Sequence, residues 1–321
     1  MRLLVTVLYT MSLLMVYPST GKTGLLSNYA YGQQKVNTMV VGKVVTADNT
    51  TIIRRGISIP FKASPNLEIH QGDKIIIGSH ISWICFIGFR QYDWDSGEKM
   101  VDCHEADLST DPYNASITNS RSKVPTVQHD NEGIERPKGG VNNDWIAIIT
   151  RSRPSYWRTS LCVNPAITFL HGQEKSSLES SIKQKNTEGK ISKDAQQLLF
   201  ADLGSMSKFY DQAREDLLQV TSSHKAPFIQ IMLGDLYLAD LAPVKAKQAY
   251  NKAIQLAHSN SDILAEAYGQ HTLGLIREFE GAKQDAITIL SKAVKLYESL
   301  GDTDTMEQLK KRIYALRMIR R

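Results

Sequence analysis

A repeated Leu-Gly frame in the C-terminal half constrains the fold of this chain more than any other sequence feature. Leu233-Gly234 recurs as Leu273-Gly274, 40 residues further on. Residues at equal offsets from the two dipeptides then match in type, in the pairs Ala246 with Ala286, Ala253 with Ala293, and Ile254 with Val294. Helix formers with a 3.6-residue apolar period run from about Ser192 onward. A recurring frame of small residues on helices predicts helical hairpins packed in series.

The residues of this frame resemble the tetratricopeptide repeat. The first copy fills its characteristic positions with Leu233, Gly234, Tyr237, Ala246, Tyr250 and Ala253. The second keeps the Leu-Gly pair and both alanines but has Arg277 and Leu290 at the aromatic positions, and both copies lack the closing proline. The resemblance covers residues 227–300. It implies antiparallel helix pairs stacked into a solenoid, with a concave face that holds an extended peptide or a partner helix.

Neighbouring segments extend this pattern to a whole domain. We expect a tetratricopeptide-like helical domain over 193–321, with repeats at about 194–223, 227–260 and 267–300 and a capping helix at 303–320. The upstream copy has Ala213 in the place of Ala246 and lacks most of the other signature residues. The terminal helix has an apolar stripe formed by Met306, Leu309, Ile313, Leu316 and Ile319. A terminal helix of this kind closes the open core of a solenoid.

The N-terminal half has β-type patterns instead. Short apolar runs occur between Val36 and about Leu108, including the strict alternation Ile57-Ser58-Ile59. A polar stretch at about 109–143 predicts a loop or linker, and strand-like runs return at Trp145–Ile149 and Ala166–Leu170. We interpret 36–171 as a β-rich module and 172–192 as a linker. The predicted fold class is multi-domain, a small all-β N-terminal module followed by an all-α tetratricopeptide solenoid.

One part of the β half resembles FecR-like periplasmic modules. Asn66-Leu67 is followed by Gly72-Asp73-Lys74-Ile75 and then by an apolar strand, which is the turn of that family. The resemblance covers about forty residues. Exported bacterial proteins join such modules to tetratricopeptide repeats, so it implies an envelope location. An unrelated small β domain is the alternative interpretation.

The first thirty residues predict export. Arg2 precedes an apolar run from Leu3 to Tyr17, which is 15 residues and shorter than the roughly 20 needed for a membrane-spanning helix. This is typical of a secretory signal peptide, here assigned to 1–30, with an uncleaved anchor as the alternative. Both interpretations place the rest of the chain in the periplasm or outside the cell.

Composition and charge exclude several classes of protein. The chain has 321 residues, 42% of them apolar and 22% charged, which is ordinary for globular proteins and excludes a disordered or collagen-like chain. The net charge is +5, and residues 303–321 carry six Lys/Arg against two acidic residues. The remainder is nearly neutral, so we expect no nucleic-acid partner, and membrane contact only through an uncleaved signal sequence.

The cysteines and histidines form no recognisable catalytic or metal-binding motif. Cys85, Cys103 and Cys162 allow three disulfide pairings in an oxidising compartment. Cys85 and Cys103 suit adjacent strands, although Cys85 also suits a core position. Cys103-His104-Glu105 lacks the second ligand pair that a zinc site needs. We therefore expect no catalytic residue, metal or cofactor.

The concave face of the repeats is the predicted binding surface. Mapped by repeat position, its lining residues are Phe228, Ile231, Asp235, Leu238, Tyr268, His271, Leu275 and Glu278. An equally weighted alternative is that these residues pack against the β half or a neighbouring helix. The resulting hypothesis is an exported, non-enzymatic adaptor that binds a protein or peptide through this groove. The alternative is a cell-envelope enzyme with its active site in residues 36–171.

Overall fold

The computed structural model describes residues 40–86, 89–103, 172–206 and 209–318. Six strands come first and eight helices follow in this part of the chain, so the predicted order of a β region before an α region is confirmed. The predicted signal sequence, the polar stretch at 109–143 and the strand-like runs at 145–149 and 166–170 lie outside the described residues.

The strands form one antiparallel sheet around two long central strands. Their bounds are β1 Val40–Ile53, β2 Phe61–Lys62, β3 Glu68–His70, β4 Lys74–Cys85, β5 Arg90–Trp94 and β6 Gly97–Met100. β1 and β4 pair along their whole lengths, from Gly42 opposite Cys85 to Ile53 opposite Lys74. β2 and β3 also pair with β1, and β5 and β6 also pair with β4. Two register shifts bend β1 near Val44/Thr46 and Asp48/Thr50.

The sheet differs from the predicted set of short strands in two ways. Three separate apolar runs of the sequence join into the single 14-residue strand β1. The alternating run Ile57-Ser58-Ile59 is not a strand, so that prediction is wrong. Ser58 instead donates its backbone N–H to the carbonyl of Leu300, 2.9 Å away. A long-range contact with a helix end therefore fixes this segment.

The helices follow one another as antiparallel neighbours. Their bounds are α1 Gly172–Thr187, α2 Lys193–Met206, α3 Tyr210–Ser223, α4 Pro227–Ala239, α5 Pro243–Asn260, α6 Ile263–Phe279, α7 Lys283–Leu300 and α8 Thr303–Met318. The structure corrects the prediction of a linker at 172–192, because α1 is helical through Thr187 and buries Leu178 and Ile182. These two side chains belong to a hydrophobic cluster shared with α2 to α5 and the sheet.

Glycine brings the two helices of three successive hairpins into close contact. A Cβ added at Gly234 would lie 2.7 Å from the ring of Tyr250, and one at Gly274 would lie 2.6 Å from Leu290. In the first hairpin a Cβ at Gly204 would lie 3.0 Å from Ala213. The pairs α4–α5 and α6–α7 therefore share one packing device, a glycine that faces the residue 16 positions on, whereas Gly204 brings α2 and α3 together through a residue only nine positions on.

The described strands and helices belong to a single compact unit. One hydrophobic cluster joins sheet residues such as Val44 and Trp83 to residues of α4 to α8. A second joins Val45 and Ile84, together with other sheet residues, to α1 to α5. The structure therefore corrects the expected division into a separate β-rich module and a helical domain, because the sheet and the helices share both hydrophobic clusters.

Candidate functional site

The residues predicted to line an open groove are mostly buried. Six of them are less than 9% exposed, namely Phe228, Ile231, Leu238, Tyr268, His271 and Leu275. Five of these, all except His271, belong to the cluster that includes residues of β1 and β4. The structure therefore corrects the expectation of an open groove: the sheet packs on this face of the helices.

The two acidic residues of the predicted groove are engaged with neighbouring helices. Glu278 accepts hydrogen bonds from Arg312 of α8, with oxygen–nitrogen distances of 2.6 and 3.0 Å. Asp235 accepts a hydrogen bond from the buried hydroxyl of Tyr250. Both carboxylates are half-buried. They stabilise contacts between helices and thus do not form a free acidic surface for a partner.

A buried ion pair joins the sheet to the helices. Lys43 of β1 places its Nζ 2.7 Å from Asp202 Oδ1 of α2, and the two side chains are 1% and 3% exposed. The same ammonium lies 3.2 Å from the sulfur of Met232. A buried charge without a partner is costly, so Lys43 fixes the position of β1 on the helices only while Asp202 stays ionised.

A second buried ion pair lies inside the sheet. Arg54 donates from Nε and Nη2 to the carboxylate of Asp73, with a shortest distance of 2.9 Å, and from Nη2 to the Glu68 carbonyl at 2.6 Å. Burial by itself lowers the pKa of the Arg54 guanidinium, and the charge and hydrogen bonds of Asp73 more than offset this, so the pKa is raised. The ring of Phe61 packs against the guanidinium at 5.2 Å.

A small cavity lies between these two ion pairs. It has a volume of about 30 Å³ and is lined by Lys43, Arg54, Asn66, Leu67, Glu68, Phe228, Ile231, Met232, Asp235 and Tyr268. Among the described residues, no hydrogen-bond partner is found for either amide atom of Asn66, which is 3% exposed. Burial raises the pKa of Tyr268 well above its usual value, although Arg54 opposes this. The cavity has room for one or two water molecules and is too small for a substrate.

A larger opening, here called the junction cleft, lies where the sheet meets the helices. Its volume is about 360 Å³. The sheet side contributes Thr46, Ala47, Asp48, Ala63, Ser64, Pro65 and His80, and the helical side contributes Ser223, His224, Lys225, Ala226 and Asn260. His224 lies 2.8 Å from Asp194 and His80 lies 3.3 Å from Asp95. Both imidazoles are therefore held by carboxylates at the edges of a cleft that is large enough for a ligand.

The structure joins Cys85 and Cys103 in a disulfide, with their Cα atoms 6.6 Å apart. Of the three pairings that the sequence allows, this one crosses from the end of β4 to the segment after β6. Cys162 lies outside the described residues. In the part of the chain that the structure describes, no group of three or more His, Cys, Asp or Glu side chains is arranged to hold a metal ion.

Sequence reasoning missed the residues that join the sheet to the helices. Lys43 and Asp202 are each a single charge within an apolar run, Val-Val-Gly-Lys-Val-Val in one case and Leu-Leu-Phe-Ala-Asp-Leu in the other. An isolated charge in an apolar run indicates a buried, paired side chain. That signal identifies each residue, but it does not reveal that the two are partners across 159 positions of sequence.

No described helix is both long and apolar enough to cross a membrane. Comparison of the chain with models of protein families and with curated proteins finds no match.

Proposed function

We propose that this protein is an exported, non-enzymatic adaptor of the tetratricopeptide type, in which the helical array holds its own sheet and binds a partner beside it. The observation that carries the proposal is the series of three hairpins, each with a glycine packed against the second helix at Gly204, Gly234 or Gly274. Stacked hairpins of this kind build extended surfaces suited to protein recognition.

The junction cleft is the surface through which we propose that the partner binds. The concave residues pack against the sheet, whereas the cleft opens at the boundary of both parts and combines apolar residues with polar groups. Alanine and proline side chains supply apolar contacts, and Lys225 together with the two histidines supplies hydrogen-bond donors. A volume of about 360 Å³ suits a short peptide segment or loop rather than a folded domain.

A pair of adjacent serines gives a matched test of this proposal. Ser222 and Ser223 are both exposed at the end of α3, and each hydroxyl donates to a backbone carbonyl three residues earlier. Only Ser223 lines the cleft. Partners captured from envelope extract by the wild-type chain should be lost with Ser223→Trp and kept with Ser222→Trp. Equal capture by both variants would exclude the cleft as the binding surface.

Export is a separate part of the proposal, supported by the Leu3–Tyr17 run. Mass spectrometry of the mature protein should show a new N-terminus between roughly residues 18 and 35. An intact Met1 on a cytoplasmic protein would contradict it.

The alternative function is that of an envelope enzyme whose active site lies in the β half. Its proposed active-site region, 36–171, extends over residues 104–171, which lie outside the described part of the chain. The serine pair distinguishes the two proposals, because an enzyme with its site elsewhere in 36–171 would keep its activity in both variants.

A further inference from the structure

The positive charge of the chain is concentrated in its last 19 residues. Residues 303–321 account for +4 of the formal net charge of +5, so the preceding 302 residues together carry only +1. Within α8, Arg312 is engaged by Glu278 of α6. Lys310, Lys311 and Arg317 are exposed, and Lys310 lies 3.2 Å from the carboxylate of the exposed Glu307. Helix α8 itself therefore has a net charge of +2, and the other two charges belong to Arg320 and Arg321, which lie outside the described residues.

Two large side chains project from the middle of this basic surface. Tyr314 is 62% exposed and Met318 is 60% exposed. With Lys310 and Arg317 they occupy positions i, i+4, i+7 and i+8, which lie on one side of a helix. The opposite side of α8 is buried and packs on the array through Leu309, Ile313 and Leu316. We call the exposed set Lys310, Lys311, Tyr314, Arg317 and Met318 the basic face.

The composition of the basic face selects one class of partner. Lysine and arginine around exposed aromatic and apolar side chains are typical of helices that lie in the headgroup region of a bilayer. There the cations meet anionic lipid phosphates, and the tyrosine ring has an apolar body and a polar tip suited to the interface. Binding by charge alone, as to a nucleic-acid backbone, gives no use to Met318.

We propose that the basic face of α8 docks the protein on an anionic lipid surface. The helix lies parallel to the bilayer, with Tyr314 and Met318 inserted among the headgroups and the three cations paired with lipid phosphates. This extends the proposed adaptor function by placing the array on the membrane without a spanning segment. It does not depend on the junction cleft, so the two proposals fail independently.

Vesicle binding by the full chain tests the proposal. The readout is the preference for mixed phosphatidylglycerol–phosphatidylcholine vesicles over phosphatidylcholine alone, because the apolar Leu3–Tyr17 run binds both kinds. The wild-type protein should prefer the anionic vesicles by at least about tenfold at low salt and lose that preference at high salt. Lys310→Glu with Lys311→Glu should abolish the preference.

Two further variants separate docking from general electrostatic attraction. Lys99→Glu with Lys252→Glu makes the same change of net charge at exposed positions of β6 and α5, and it should keep the preference. Tyr314→Ser with Met318→Ser leaves the charge unchanged and should weaken binding to anionic vesicles about fivefold. All three variants change exposed side chains, so their melting temperatures should match that of the wild type.

Three results would overturn the proposal. One is equal loss of preference in both lysine variants, which would mean that only net charge matters. Another is full binding by the Tyr314→Ser and Met318→Ser variant, because headgroup insertion would then be absent. The third is tighter binding of a fluorescent oligonucleotide than of vesicles, lost in the Lys310→Glu and Lys311→Glu variant, which would assign the basic face to nucleic acid.

Discussion

Large apolar side chains are buried on the side of the helices that faces the sheet and exposed at the outer end of the helical array. Phe228, on the sheet-facing side, is 6% exposed and meets the ring of Tyr268 edge to face at 5.8 Å. Tyr314, at the outer end, is 62% exposed. Both side chains lie on amphipathic helices of the same array. The difference is that a sheet covers one of them, so position within a repeat does not by itself decide which surface is free.

Because of this difference, the sheet-facing side of the helices is not available to bind a partner. The sheet fills that face with apolar contacts and with the Lys43–Asp202 ion pair, so the face contributes to stability. Our two proposals therefore place recognition at the boundary and at the end of the array, in the junction cleft and on the basic face. Substitutions that compare covered and exposed members of the same residue class measure this division.

The largest expected effect is the loss of a covered aromatic side chain. Phe228→Ala should lower the free energy of unfolding by about 4 kcal/mol, because it removes a buried ring and leaves a cavity between the helices and the sheet. Tyr314→Ala should change the same quantity by less than about 0.5 kcal/mol. Urea unfolding followed by circular dichroism measures both. Similar losses of unfolding free energy in the two variants would mean that the sheet does not cover Phe228.

The ion pair across the sheet–helix boundary should have the next largest effect. Asp202→Asn leaves Lys43 as an uncompensated buried charge and should cost about 3 kcal/mol in the free energy of unfolding. The matched surface pair is Lys74–Glu98, at 2.7 Å and with side chains 40% and 60% exposed. Glu98→Gln should cost less than about 1 kcal/mol. A small effect of Asp202→Asn would show that water reaches Lys43.

A buried carboxyl at the start of α6 makes stability depend on pH. Burial raises the pKa of Asp262 from 3.8 to about 6, while hydrogen bonding to the Ala265 backbone and the charge of Lys62 oppose the rise. The folded state then binds this proton more tightly than the unfolded chain. Stability from this residue should therefore be highest below pH 4, decline by about 3 kcal/mol as the pH rises through about 6, and stay level above about pH 7.

The Asp262→Asn variant isolates this contribution. Asparagine still accepts the backbone hydrogen bond of Ala265, so the helix cap is kept while the titration is lost. The difference in unfolding free energy between wild type and variant should change between about pH 4 and 7 and be constant above that range. A difference that is the same at every pH would place the carboxyl in contact with water.

The helical part of the fold was predictable because its signals are local. The hairpin contacts Gly234–Tyr250 and Gly274–Leu290 lie within 16 residues in sequence, and the Leu-Gly frame marks them directly. The sheet depends on contacts that no local pattern reveals. β1 and β4 pair over segments tens of residues apart, and Ser58 is fixed by Leu300.

The candidate site was harder to predict for the same reason. Helix α1 buries Leu178 and Ile182, but its mean hydropathy is as low as that of a linker. Burial of these two side chains against neighbouring elements stabilises the helix, and its own sequence does not reveal those contacts. The residues assigned to the groove by repeat position are mostly buried. The sheet packs against them, and the repeat pattern does not predict that contact.

The smallest expected effect compares the glycine contacts of two hairpins. Gly234→Ala gains about 1 kcal/mol in helix propensity but places a methyl group 2.7 Å from the ring of Tyr250. That ring is fully buried and its hydroxyl is bonded to Asp235, so it cannot move aside and overpacking of about 2 kcal/mol should dominate. Gly204→Ala meets Ala213 at 3.0 Å and should be nearly neutral. Thermal unfolding should thus show a net loss of about 1 kcal/mol for Gly234→Ala alone.

Repeating the substitution in a Tyr250→Leu background should remove that loss, since leucine has rotamers that the ring lacks. This background supplies the residue type found at Leu290 of the next hairpin. If the loss persists there, the clash lies with the backbone of α5, and the hairpins of Gly234 and Gly274 do not share one packing device.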